Sequence, residues 1–219
     1  MTVQLIAASP IDGPMALRLL AILASASLTD NILLARFLGM CPFLSLSRQV
    51  RSAFGMGLAV IFVTTCTVWI NWLLYAHILL PLEPYGLPAD SLKLILFIVV
   101  VAAFVQLMEM LIERISTRLY YSLGIFLPLI TVNCAILGAA LFMTTSVTDP
   151  AKHYGGLDSL VYGFGAGAGW FIAIMLLAGV RSRIKEDSIP PALRGPGITL
   201  IIAGIMAMAF VIFQGMIKL

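Results

Sequence analysis

The sequence predicts an all-α protein that crosses a membrane several times, and three observations carry that prediction. Mean hydropathy is +1.07. Of the residues, 61% are hydrophobic and 11% charged, where a soluble domain carries about a quarter charged. Apolar stretches of about 20 residues, the length of a helix that crosses a hydrocarbon core, recur along the chain, separated by turn-rich segments such as "PLEPYGLPAD" and "DSIPPALRGPG". Six spans result, at roughly 17–47, 53–80, 92–113, 119–145, 159–181 and 195–217, within one domain covering 16–219. Residues 1–15 form an N-terminal extension.

The first span opens on "MALRLLAILASAS", which has the basic, apolar and small-residue order of a signal peptide. The apolar pattern resumes at Ile32 and runs to Cys41, so it reads as an uncleaved span, with Met15 an alternative start to Met1. From Leu17 to Arg48 a straight helix would measure about 46 Å, well beyond a core of about 30 Å. An interruption is therefore expected at Thr29-Asp30-Asn31, a helix-start sequence, and at Cys41-Pro42, where proline removes a donor. Arg36, within this span, either offsets negative charge near Cys41, snorkels to the interface or pairs with Asp30.

The second span carries Cys66 and then Trp69, Trp72, Tyr75 and His77, an aromatic belt at a membrane surface. The third carries Glu109 in "VQLMEMLIER", sharing a helix face with Gln106 and Glu113. An intramembrane carboxylate is a functional candidate, set against an interfacial acid paired with Arg114 or Arg118. The fourth is "GIFLPLITVNCAILG", in which Pro128 should break the helix, either merely packing Gly138 against a neighbour or freeing amides around Val132–Ala135 to point at a ligand, with Asn133 hydrogen-bonding that ligand's surroundings or satisfying the opened backbone.

The fifth span opens with Tyr162-Gly163-Phe164-Gly165, echoing Phe54-Gly55-Met56-Gly57 at the start of the second. Together with Cys41 beside Pro42 and Cys134 after Pro128, this predicts two inverted three-helix repeats with a broken first helix in each half. Such repeats place their site on broken helices within the membrane.

Basic residues set the orientation. Arg48 and Arg51 follow span one, Arg114 and Arg118 span three, and Arg181, Arg183, Lys185 and Arg194 span five. Only Arg18, Lys93, Lys152 and Lys218 flank the other side. The odd-numbered loops are therefore expected in the cytoplasm and both termini in the periplasm. Basic residues at span ends are topology signals, so no nucleic-acid partner follows from them; the surrounding partner is membrane lipid.

Three cysteines in no clustered spacing exclude a disulfide framework. Thiolates suit iron–sulfur clusters, zinc or copper(I). Cys41 and Cys134, at equivalent places, would be half of a four-cysteine set. A second, similar chain must then supply the rest. Each cysteine can equally be a small buried hydrophobe, the reading kept for Cys66. No phosphate loop, dinucleotide fingerprint or nucleophile–base arrangement is present; "GFGAGAG" lies inside a span.

The strings "FLGMCPFLSLSRQV", "FVQLMEMLIER", "LGIFLPLITVNCAILG" and "VYGFGAGAGW" closely resemble the NqrDE/RnfAE family. These are membrane subunits of the Na⁺-translocating NADH:quinone reductase (NQR) and of the RNF ferredoxin:NAD⁺ oxidoreductase. "TVNC", "YGFGAGAGW" and "ALRGPGITLIIAG" are more similar to the NQR branch (NqrE), and "GMCPF" and the closing "KL" to the RNF branch (RnfA). The resemblance runs from about Ala16 to the C-terminus and implies a bacterial inner-membrane component of a multisubunit enzyme, not catalytic alone. It implies a homologous six-span partner of opposite topology and a [2Fe–2S] cluster between the two, with Cys41 and Cys134 as this chain's ligands. Flavins and NADH would reside on other subunits. Glu109 falls at a carboxylate that the family associates with cation uptake. The reading from another class is a non-redox inverted-repeat cation transporter, which needs no iron.

Overall fold

The computed structural model describes residues 15–79, 89–115, 133–148, 154–184, 190 and 193–214. Residues 1–14 of the N-terminal extension, Pro128 and the fourth span before Asn133 lie outside the described residues, as does the side chain of Glu113. Among those described, the elements are helical and no strand occurs.

Helix α1 (Met15–Ala24) continues into a π-helical turn at Ser25–Thr29. After a non-helical segment come α2 (Met40–Leu46) and α3 (Val50–Leu74), the latter extended by a second π-helical turn, Tyr75–Leu79. Then follow α4 (Ala89–Ile115), α5 (Cys134–Thr148), α6 (Gly156–Arg183) and α7 (Pro196–Gln214). Val50–Leu79, Leu92–Met110 and Gly156–Arg183 are long and apolar enough to cross a membrane, and match the second, third and fifth predicted spans. The first, fourth and sixth correspond to shorter apolar helices, Met15–Thr29, Cys134–Val147 and Pro196–Ile212.

The first span is interrupted where Thr29-Asp30-Asn31 predicts it. Cys41-Pro42, the second expected weak point, is instead where helix resumes. Pro42 is buried in the first turn of α2, where the first amides have no intrahelical acceptor and the missing N–H costs nothing.

Helix α6 is the spine. Its glycines alternate, so Gly163 and Gly167 lie on one face and Gly165 and Gly169 on nearly the opposite one. A Cβ at Gly167 would stand 2.7 Å from Cα of Ile61, and one at Gly163 3.0 Å from Cβ of Val68, both on α3. On the other side, a Cβ at Gly165 would meet Ala26 Cβ at 2.9 Å and one at Gly169 the Ser27 carbonyl oxygen at 2.7 Å. Small residues thus let α6 approach two neighbours at backbone distance. Gly156 packs on Trp72 while Gly167 packs on Ile61, so α3 runs antiparallel to α6.

Polar latches close both ends of this spine. Arg18 Nη2 donates to Asp158 Oδ2 at 2.7 Å, and the same carboxylate oxygen accepts from the Gly155 amide at 2.9 Å. At the far end Arg181 Nη1 donates to Ser47 Oγ at 2.7 Å and to the Leu44 carbonyl at 3.2 Å. Asp158 and Arg181 are about 35 Å apart along the helix, a little more than one hydrocarbon core.

The aromatic belt holds only in part. Trp69 is exposed, as a lipid-surface residue would be, and His77 is exposed with Nδ1 3.1 Å from the Leu73 carbonyl. Trp72, however, donates from Nε1 to the Tyr154 carbonyl at 3.2 Å. Tyr75, at the head of the π-helical turn, is buried in the core. Cys66 is half-buried on α3.

Candidate functional site

The break in the first span would leave polar backbone groups bare inside the molecule, and Asn31 satisfies them. Completely buried, it donates from Nδ2 to the carbonyls of Ser27 (3.0 Å) and Gly169 (2.8 Å). Its Oδ1 accepts from the amides of Leu33 (3.0 Å) and Leu34 (3.3 Å). One side chain caps the end of one helical segment and ties the next to the spine.

From there the chain runs antiparallel along one face of α5. The Arg36 guanidinium stacks on the Phe142 ring at 3.8 Å. Leu38 fills the space above Gly138, where a Cβ would come within 2.6 Å of Leu38 Cδ1. The Gly39 amide donates to Cys134 Sγ at 2.9 Å. Phe142, Gly138 and Cys134 are spaced four residues apart, one helical row. Phe37 (φ +55°) and Gly39 (φ +80°) are both left-handed; Phe37, a residue for which that region is strained, is 53% exposed.

Asn133 immediately precedes α5 and takes one of its two expected roles, satisfying opened backbone, with Oδ1 accepting from the Ala135 amide at 3.1 Å. Cys134 follows as the first helical residue and is exposed; Cys41, in the first turn of α2, is exposed too. These are not buried hydrophobes. Because Gly39 lies two residues from Cys41 and touches Cys134 Sγ, the structure brings the two cysteine-bearing segments together. A Cβ at Gly39 would stand 2.6 Å from Trp170 Nε1, and Trp170 lies about midway between Asp158 and Arg181 on α6, so the point where Gly39 meets Cys134 falls between the two latched ends.

Around this point two donors lack acceptors among the described residues: Nε1 of Trp170, fully buried, and Nδ2 of Asn133. No three His, Cys, Asp or Glu side chains converge on a common point among the described residues. The donor chemistry fits a metal centre at Cys41 and Cys134, with two accessible soft ligands, an amide already aimed at one sulfur and further N–H groups beside it.

Arg36 is engaged by Asp30, Nη2 to Oδ2 at 3.0 Å. The pair is 37% and 47% exposed. At membrane depth a charged pair this open would be costly against acyl chains. A cleft of about 440 Å³ opens from Cys41 past Ser45 to Arg48 and Arg181, walled by Pro196 and Thr199 of α7.

Glu109 lies one turn beyond Phe97, Val101 and Val105, the buried row of α4, and is itself half-exposed. It thus continues the protein-facing stripe about 9 Å from the helix end, while Gln106 is exposed. Sequence reasoning singled out Cys41, Cys134, Asn133 and Glu109 but passed over Gly39, Trp170 and Asn31's capping role. The glycine in "FLGMC" two residues before a cysteine was the available signal.

Residues 19–217 match the family described as "Rnf-Nqr subunit, membrane protein". The chain is 48% identical over 201 residues to the E subunit of the Na(+)-translocating NADH-quinone reductase of Marinobacter nauticus, covering 90% of this chain and 96% of that one. It is 48% identical over 191 residues to the protein of the same name from Psychromonas ingrahamii, covering 85% and 92%.

Proposed function

The chain belongs to the Rnf-Nqr family of membrane subunits, and from that premise we propose that it is an electron-relay component of a Na⁺-translocating NADH:quinone reductase. Cys41 and Cys134 would hold two corners of a [2Fe–2S] cluster, and a homologous partner the other two. The relatives at 48% identity are E subunits of that enzyme complex and favour the NQR over the RNF assignment. The observation that carries the cluster reading is the Gly39 amide bonded to Cys134 Sγ at 2.9 Å, which ties the two thiol-bearing segments to each other with both sulfurs open to a partner.

When bound, the cluster would supply one-electron transfer within the membrane. This chain's residues would do the rest. The two thiols would orient it, and Asn31 and Asn133 hold rigid the interrupted backbone that presents them. The Arg48- and Arg181-lined cleft gives a polar approach to Cys41 from the latched end. That end would be cytoplasmic by the excess of Arg and Lys there, with NADH and flavins on other subunits. Glu109, on the protein-facing row of α4, would contact the transported Na⁺. The break before α2 and the start of α5 at Cys134 would be equivalent points of two inverted halves, the arrangement in which sites form on discontinuous helices.

The test is iron and acid-labile sulfide in the complex purified anaerobically with its partner subunits. The expected result is one two-iron cluster lost in both Cys41→Ser and Cys134→Ser. An iron-free wild-type complex that still translocates Na⁺ would leave the non-redox transporter in its place.

A further inference from the structure

We propose that Gly39 is a positioning residue for the metal centre: its amide N–H donates to the Cys134 sulfur and thereby raises the potential at which the centre is reduced. This rests on the cluster reading above and deepens it.

The geometry of that amide is fixed from several directions. Gly39 adopts φ +80°, ψ +25°, a left-handed conformation that side-chain-bearing residues adopt only with strain. The place where a Cβ would stand is already enclosed. Trp170 Nε1 lies 2.6 Å from it, and Asn133 Oδ1 and Ala135 Cβ each 2.9 Å. None of these walls can yield easily. Trp170 is completely buried, Asn133 is held by the Ala135 amide, and Ala135 is buried on α5. Both the backbone angle and the space thus exclude any side chain at 39, and what they preserve is the direction of the N–H toward a sulfur 95 residues away.

Hydrogen bonds to cluster sulfurs are a main means by which a protein sets a cluster's potential. A donor withdraws electron density from the thiolate and favours the reduced, more negative state. Gly39 is also two residues from Cys41, so the same short loop that supplies one ligand trims the basicity of the other. The pairing is reciprocal in structure: each half of the chain gives one sulfur, and the first half gives the donor for the second half's.

The experiment uses the whole complex, isolated anaerobically, with iron content and the midpoint potential of the cluster followed by electron paramagnetic resonance. Wild type is also grown on ¹⁵N-glycine and its reduced cluster examined for coupling to a glycine nitrogen. Gly39→Ala should keep its iron, shift the midpoint potential to more negative values and lose that coupling. The same substitution in a Trp170→Phe background, compared with Trp170→Phe alone, gives the added methyl more room and should show the same shift. An iron-bearing Gly39→Ala complex with unchanged potential overturns the proposal and leaves the cluster reading intact, whatever happens to the glycine coupling. If neither variant assembles, the labelled wild type decides: a glycine coupling sustains the proposal and its absence overturns it. An iron-free wild type overturns both readings.

Discussion

Nδ2 of Asn31 lies 2.8 Å from the carbonyl oxygen of Gly169, 138 residues further along the chain. The bond joins the broken first span to the spine at the point where Gly169 has no side chain to keep them apart. Asn31→Ala would strand the buried amides of Leu33 and Leu34 and take a donor from the carbonyls of Ser27 and Gly169, at a cost of about 1–3 kcal/mol for each group left without a partner. A marked fall in the thermal midpoint of the purified complex is expected. Asn31→Asp should not rescue it, because the carboxylate keeps the acceptor but opposes the carbonyls of Ser27 and Gly169. A wild-type midpoint in either variant would mean that water or another group replaces the cap.

The glycines of α6 offer a paired comparison. Gly167→Ala drives a methyl to 2.7 Å from Cα of Ile61, backbone that cannot swing aside, and should cost about 1–3 kcal/mol as the helices separate. Gly179→Ala meets nothing within 4 Å and should leave the thermal midpoint unchanged or raise it, since alanine favours helix by about 1 kcal/mol. Equal effects from the two would show that α3 and α6 do not pack as described.

Phe37 combines a strained backbone with an exposed ring four residues before Cys41. Phe37→Asn should relieve about 1 kcal/mol of strain, because asparagine tolerates the left-handed region. If the ring is a partner contact, the variant should fold while retaining less of the homologous partner through detergent purification. Full retention would make Phe37 a lipid-facing residue.

Glu109→Gln preserves shape and removes charge. The expected outcome is an unaltered iron content with a Na⁺ requirement raised about tenfold, the equivalent of about 1.4 kcal/mol of lost interaction. Na⁺-stimulated turnover of the reconstituted complex measures it. An unchanged Na⁺ dependence would return Glu109 to the role of an interfacial acid.

The long spans were legible because length and hydropathy alone decide them, and the first break because a 32-residue stretch such as 17–48 exceeds the membrane. Asp30 next to Asn31 marked its position, as polar side chains that compete for backbone bonds do. Cys41-Pro42 misled, since proline ends a helix from its interior yet suits its first turn, and only the chain path distinguishes the two. The Tyr75 ring was assigned to a lipid surface from its neighbours' spacing, whereas the π-helical turn buries it. Cys41 and Cys134 could be named from type and placement. That Gly39 reaches across to the second of them depends on two segments 95 residues apart in sequence, a relation no local pattern encodes.

The two latches carry one more implication. Arg18 secures the segment before the break to one end of α6, and Ser47 secures the segment after it to the other end. A fractured beam splinted against an unbroken rod can twist at the fracture but cannot lengthen there without letting go at one tip. Any rearrangement that carries Cys41 along α6 must therefore be torsional about the break, or begin by releasing Arg18 or Arg181.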